Sequence, residues 1–307
     1  MKRLFVSIFF IVALGCGAAR SQEAFPMLRF DRNPVTSGMA GAGFASPSAG
    51  TAFAAFSNPA AAALSDKNLD AGVAYSYWMP GGVKSNNITA GVSGKVFNIL
   101  GLHVGYTSQI HDPVELSSGG GDALNTVRPF DYIVGGGLSV SILDMVSIGG
   151  TIRYASQSLD GISPQTSLSG DIVAMYRWKT LRVGAGVIAM GGKVKDVSGY
   201  SYDIPSSAWA GADYVLNLGQ HNLEWSLDAD YYYNSKNVGV AVGMQYDWKN
   251  FLYARAGYRY ATATSVVPSH LAIGLGVHYA GFAFDLSWAL PGSALAGTVS
   301  AGLRYSF

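Results

Sequence analysis

Val238-Gly239-Val240-Ala241-Val242-Gly243-Met244-Gln245-Tyr246-Asp247-Trp248 reads as two interleaved chains. Val238, Val240, Val242, Met244, Tyr246 and Trp248 share one parity, and Gly239, Ala241, Gly243, Gln245 and Asp247 share the other. Successive side chains of a strand point to opposite faces, so one face here is oily and its reverse is small or polar. The same pattern recurs at Leu271–Tyr279, Phe282–Leu290, Leu223–Tyr231 and Val299–Phe307. Fourteen such segments follow residue 69, near 69–78, 86–96, 99–108, 130–141, 145–156, 166–178, 181–191, 206–215, 222–232, 237–248, 251–262, 269–279, 282–290 and 297–307. Most are close to the ~9–11 residues that a tilted strand needs to cross a bilayer.

Composition supports a membrane setting. Hydrophobic residues make up 49% of the 307-residue chain and charged residues only 13%, against about 25% charged in a soluble domain. No segment beyond the N-terminus is apolar for long enough to be a spanning helix, whereas barrel strands need only every second residue apolar. A soluble β-sandwich also alternates, but its outer face should carry Lys, Glu and Thr. The minority face here is mostly Gly and Ala with scattered charge. The expected fold is therefore all-β: a transmembrane antiparallel barrel of about 14 strands in the outer membrane of a Gram-negative cell, surrounded by outer-membrane lipid.

The links between segments support this arrangement. Short ones at 97–99, 143–144, 178–180, 217–220, 249–250 and 280–281 alternate with mostly longer ones at 79–85, 109–129, 157–165, 192–205, 233–236, 263–268 and 291–296. Outer-membrane barrels have short periplasmic turns and longer outer loops. Aromatics near the strand ends, such as Tyr75, Tyr106, Trp178, Tyr214, Trp248 and Tyr279, suit the two interfacial girdles.

The chain divides into three. Residues 1–21 read as a signal peptide, with Lys2 and Arg3, an apolar run from Leu4 to Leu14, and Ala19-Arg20-Ser21 as a cleavage site. A rival reading makes Cys16, the only cysteine, a lipidation site after Leu14-Gly15. Residues 22–68 are crowded with Gly, Ala and Ser and suit an N-terminal hatch inside the barrel. Asn58 can cap a helix that begins at Pro59 and Ala60. Residues 69–307 form the barrel. Its last strand ends Leu303, Tyr305, Phe307 on one face, which resembles the terminal signal read by the barrel assembly machinery during insertion.

Parity also assigns the charges. Lys95, Arg153, Arg182, Arg255, Arg259 and Arg304, with Asp171, Asp213, Glu224, Asp228, Asp230, Asp247 and Asp285, are expected to face the lumen. A Lys or Arg turned to lipid at the midplane would cost roughly 2–4 kcal/mol. The mixture of signs suggests ion pairs across a plugged lumen rather than an ion-selective pore. Among the five histidines, His103 and His278 fall on lumen-facing positions and read as hydrogen-bonded wall residues rather than metal ligands. No hydrolase elbow, zinc-protease motif or P-loop is present, and no compact Ser, His or carboxylate cluster marks a lipid-modifying enzyme. No catalytic, cofactor or metal residue is assigned, and a net charge of +1 gives no case for nucleic acid. Tyr200, Tyr202 and Ile204, in one of the two longest loops, offer a partner-facing surface, because loops on a rigid scaffold often carry binding.

Gly38-Met39-Ala40-Gly41-Ala42-Gly43, followed by Asn58-Pro59-Ala60, resembles the opening of the PorV family of Bacteroidetes outer-membrane proteins. Ala74 to Pro80 and Asn86-Asn87-Ile88 resemble that family's first hairpin. The motifs span about 60 residues. The resemblance places the chain among FadL-like barrels, which have 14 strands and an N-terminal hatch. For PorV-like or sister PorQ-like proteins it implies a non-enzymatic role in type IX secretion, with a translocon subunit and exported cargo as partners. For FadL-like proteins it implies transport of hydrophobic solutes such as long-chain fatty acids.

Overall fold

The fourteen alternating segments close into a ring, with a break of parity at Ile188-Ala189, both buried, where a bulge shifts the pairing register. A computed structural model describes residues 24–78, 84–117, 123–158, 164–195, 199–262, 265–290, 295 and 297–307. The barrel strands are β1 (Leu69–Trp78), β2 (Ser85–Val96), β3 (Leu100–His111), β4 (Phe130–Ile142), β5 (Val146–Ser158), β6 (Gln165–Trp178) and β7 (Leu181–Gly191). They continue as β8 (Ser207–Leu218), β9 (His221–Tyr232), β10 (Val238–Trp248), β11 (Leu252–Ala261), β12 (His270–Tyr279), β13 (Phe282–Ala289) and β14 (Val299–Ser306). Each strand pairs antiparallel with its sequence neighbours, and β14 closes on β1 with Ala71 opposite Tyr305 and Tyr77 opposite Val299. Phe307 seals that seam: its N–H donates to Leu69 O at 3.1 Å, and Asn68 N–H donates back to Phe307 O at 2.7 Å. A closed ring leaves no strand edge unsatisfied in lipid.

Four of the short turns have φ > 0 at both central residues: Phe97-Asn98, Leu143-Asp144, Lys249-Asn250 and Ala280-Gly281. That is the geometry whose twist matches antiparallel strands, and Asn, Asp or Gly in second place tolerates it. These turns gather at one rim with the ends of β6 and β14. The longer connections gather at the other rim and hold secondary structure that alternation did not reveal. Val114–Ser117 pairs with Ala123–Val127, and Val194–Lys195 pairs with Ser201–Tyr202. Residues 1–21, with Cys16, and 118–122 lie outside the described residues.

Strand β10 shows what parity does in space. Val242, Met244, Tyr246 and Trp248 are exposed on the outer surface, whereas Ala241, Gln245 and Asp247 are buried inside. Aromatics form two outer bands. Tyr106, Tyr132 and Tyr154 stack side by side near the long-loop rim, and Phe282, Tyr305 and Phe307 cluster at the short-turn rim.

The chain from Ala24 to Leu64 packs against the inner wall. It forms one short helix, α1 (Pro34–Ser37), and 3-10 turns at Pro26–Arg29, Ala54–Phe56 and Pro59–Leu64. Wall glycines admit it. A Cβ on Gly257 would sit 2.2 Å from Met39 O, and one on Gly149 would sit 2.5 Å from the Pro59 carbonyl carbon. The small face of the strands is thus the seat on which this segment's backbone rests.

Candidate functional site

Two asparagines organise the lumenal segment. Asn33 Oδ1 accepts from Val35 N–H at 3.1 Å and caps α1, with Pro34 at its first position. Asn58 Oδ1 accepts from Ala60 N–H at 3.0 Å and starts the 3-10 turn at Pro59. The Asn58 amide also donates to Phe44 O at 2.9 Å, tying the two halves of the segment together. Gly38 ends α1, and its N–H donates to Pro34 O at 3.0 Å. Met39 is fully buried, and Gly41 and Gly43 adopt φ of 84° and 94°. Those left-handed values let the backbone turn sharply: the Gly41 N–H folds back onto Thr36 O at 2.9 Å, and the Gly43 N–H faces Asp228 on the wall.

The wall charges meet this segment or one another. Arg153 pairs with Asp171 and donates to Leu28 O at 3.3 Å. Arg259 bonds Asp230 at 2.7 Å, and Arg29 reaches the other oxygen of the same carboxylate. Arg255 bonds Asp285 at 2.8 Å, and Arg304 lies 3.4 Å from Asp285 and 3.7 Å from Asp70. Lys95 donates to Ser65 O at 3.0 Å. Asp247 accepts from Asn222 and from Asn250 N–H, each at 2.8 Å. Asp213 stands opposite Arg182 in the β7–β8 register and accepts from Ser226. Asp228 and Glu224 accept from the lumenal segment itself.

The mixed signs predict ion pairs across a plugged lumen, but none joins opposite walls among the described residues. The pairs inside the barrel run between strands one or two apart, or from wall to lumenal segment, because that segment fills the space between opposite walls. Ile204 is a second correction. It is 1% exposed and packs with Phe25, Ile188 and Trp209. Its loop dips into the mouth and carries an apolar side chain inward, so Ile204 is no partner surface. Tyr200 is exposed and Tyr202 half-buried. His103 is bonded to Thr151 at 2.8 Å, and His278 to Asp285 at 3.1 Å. No group of three or more His, Cys, Asp or Glu side chains able to hold a metal ion occurs among the described residues.

The wall and the lumenal segment enclose a cavity of about 170 Å³ on the long-loop side. Phe30 meets Trp78 edge-on with ring centroids 4.7 Å apart, and Phe44 leans on Trp209 at 4.3 Å. Leu28, Phe56, Ile188 and Val267 add aliphatic and aromatic surface. Arg29, Arg32, Asp31, Asp230 and Arg259 supply the polar lining. Burial, with Arg153 nearby, pushes the Arg32 guanidinium down to about 10. Arg32 donates to Met27 O at 2.9 Å and has no carboxylate ion-pair partner among the described residues. Sequence parity missed Arg29, Asp31 and Arg32 because the lumenal segment has no period. It could have found Asp70, which shares its face of β1 with Ala74 and Ser76. A mostly apolar, concave cavity with a few polar groups is the usual form of a small-molecule site.

Fold and cavity together define a class: a closed 14-stranded outer-membrane-type barrel with a lumenal N-terminal segment. The chain is similar in structure to the Pseudomonas putida toluene transporter TodX, with a TM-score of 0.61, 13% identity, and cover of 93% of this chain and 98% of that one. It is likewise similar to the monoaromatic hydrocarbon channel CymD, with a TM-score of 0.60, 13% identity, and cover of 90% and 97%. No protein-family profile matches the sequence, and no curated protein matches it.

Proposed function

We propose that this chain is a non-enzymatic outer-membrane conduit for hydrophobic solutes. The observation that carries the reading is the aromatic-lined cavity between wall and lumenal segment on the long-loop side. The similarity in fold to TodX and CymD, described as a toluene transporter and a hydrocarbon channel, supports it. Phe30, Trp78, Phe44 and Trp209 offer a neutral aromatic or aliphatic solute an apolar surface to pack against. The N-terminal segment acts as the hatch of this conduit.

Tryptophan fluorescence tests the reading, because Trp78 and Trp209 line the cavity. Titrating the detergent-solubilised protein with toluene should quench or shift the emission saturably, and the Trp78→Phe/Trp209→Phe variant should lose most of the response. Emission that ignores toluene and a long-chain fatty acid alike would sink the proposal. The motif at Gly38–Gly43 and Asn58–Ala60 supports a second reading, a PorV-like role in type IX secretion. Co-purification of a very large translocon subunit from native outer membranes would support that reading in place of the first.

A further inference from the structure

Besides the aromatic cavity, the described residues line another inside the barrel. The aromatic cavity faces the long loops. A second, of about 460 Å³ and largely polar, lies toward the short turns and is lined by Pro47, Ser48, Arg182, Glu224 and Asp247. The strap Gly43-Phe44-Ala45-Ser46-Pro47-Ser48 runs between them: Phe44 lines the first cavity, and Pro47 and Ser48 line the second.

Two carboxylates on one face of β9 hold the strap. Asp228 accepts from Gly43 N–H at 2.6 Å and from Phe44 N–H at 3.4 Å. Glu224 accepts from the Ser46 hydroxyl through one oxygen and from the Ser48 hydroxyl through the other, at 2.6 Å. On the wall side, Trp209 Nε1–H donates to Asp228 at 2.8 Å and Gln245 donates to Glu224 at 3.1 Å. Neither carboxylate forms an ion pair with Lys or Arg among the described residues. Both are almost fully buried. The strap's donors therefore supply much of what compensates two buried charges, and a strap that leaves must be replaced by water.

We infer that Asp228 and Glu224 are the latch of a gate whose moving part is Gly43–Ser48, and that release of this strap joins the two cavities into one aqueous path. The latch presupposes the conduit role proposed above. Ion conductance reads the latch and fluorescence reads the solute, so the two can fail separately. Amides at both positions remove the buried charges that the strap compensates; at position 228 the amide must also turn its NH2 toward an N–H donor, either Trp209 or the Gly43 and Phe44 backbone, whereas the Ser46 and Ser48 hydroxyls can accept from an amide at position 224. Backbone N–H groups cannot reverse their role to compensate.

The test is single-barrel conductance of the full chain in planar lipid bilayers. The Asp228→Asn/Glu224→Gln variant should raise the open fraction at least about tenfold over the unaltered chain. Ser46→Ala/Ser48→Ala, which leaves the wall untouched, should give a smaller rise, because the Gly43 and Phe44 donors remain. Asp131→Asn removes a lumenal carboxylate that accepts from His111 and not from the strap, and should leave conductance unchanged. Heat-modifiable migration on gels confirms that each barrel has folded. Should the wall variant fail to fold, the serine variant carries the test. Folded latch variants that conduct like the unaltered chain, or a rise in Asp131→Asn as large as theirs, would overturn the latch.

Discussion

The outer surface of the wall and the surface buried between wall and hatch obey opposite rules. Outside, Val242, Leu275 and Leu286 need only be apolar, because lipid is an undemanding partner. Inside, Gly257 and Gly149 lie against hatch backbone, Asp228 takes two hatch N–H groups and Asn58 braces the hatch from within, so a change of one carbon or one charge is felt. The strands supply both surfaces at once, since alternate residues of each strand belong to different solvents. What differs is the partner: a fluid outside, a folded segment of the same chain within.

The largest effect is expected where a charge inside loses its partner. Arg153→Met leaves Asp171 buried without a cation, and should cost about 3–5 kcal/mol in urea unfolding from bilayers. The double variant Arg153→Met/Asp171→Leu should recover most of that loss, which separates the penalty of an orphaned charge from the worth of the pair. Next comes the outer face. Val242→Arg puts a guanidinium in the middle of the apolar band and should cost roughly 2–4 kcal/mol in the same measurement. Tolerance of Val242→Arg would erase the contrast between the two surfaces. The smallest effect belongs to the hatch caps. Asn58→Ala removes the helix cap and the tie to Phe44, and should lower stability by about 1 kcal/mol. A protease cutting between Phe44 and Asn58 only in that variant would show that the loss lies in the hatch and not the wall.

These surfaces were not equally readable in the sequence. The barrel was plain from period two, because a strand in lipid repeats its rule at every step; the count of 14 strands and the short-turn rim followed from it. Parity tells which wall side chains share a face, but it names no hatch atom. The meeting of Asp228 with Gly43 links residues 185 apart in the chain, and the contact is fixed by how the hatch coils rather than by any local pattern. The same limit explains Ile204. A loop rich in Tyr looked like a contact surface, yet one apolar side chain in it was recruited to cover Phe25. The paired hairpins at Val114–Val127 and Val194–Tyr202 escaped notice because two to five residues per strand are too few to show a period.

Lipid accessibility along β10 tests the central claim most directly. Single cysteines placed in turn from Val238 to Trp248 and spin-labelled in bilayers should alternate: Val240, Val242, Met244 and Tyr246 in reach of a lipid-soluble relaxant, and Gly239, Ala241, Gly243 and Gln245 shielded from it. A flat profile, or one with a period near 3.6, would contradict a barrel that separates oil from a filled lumen.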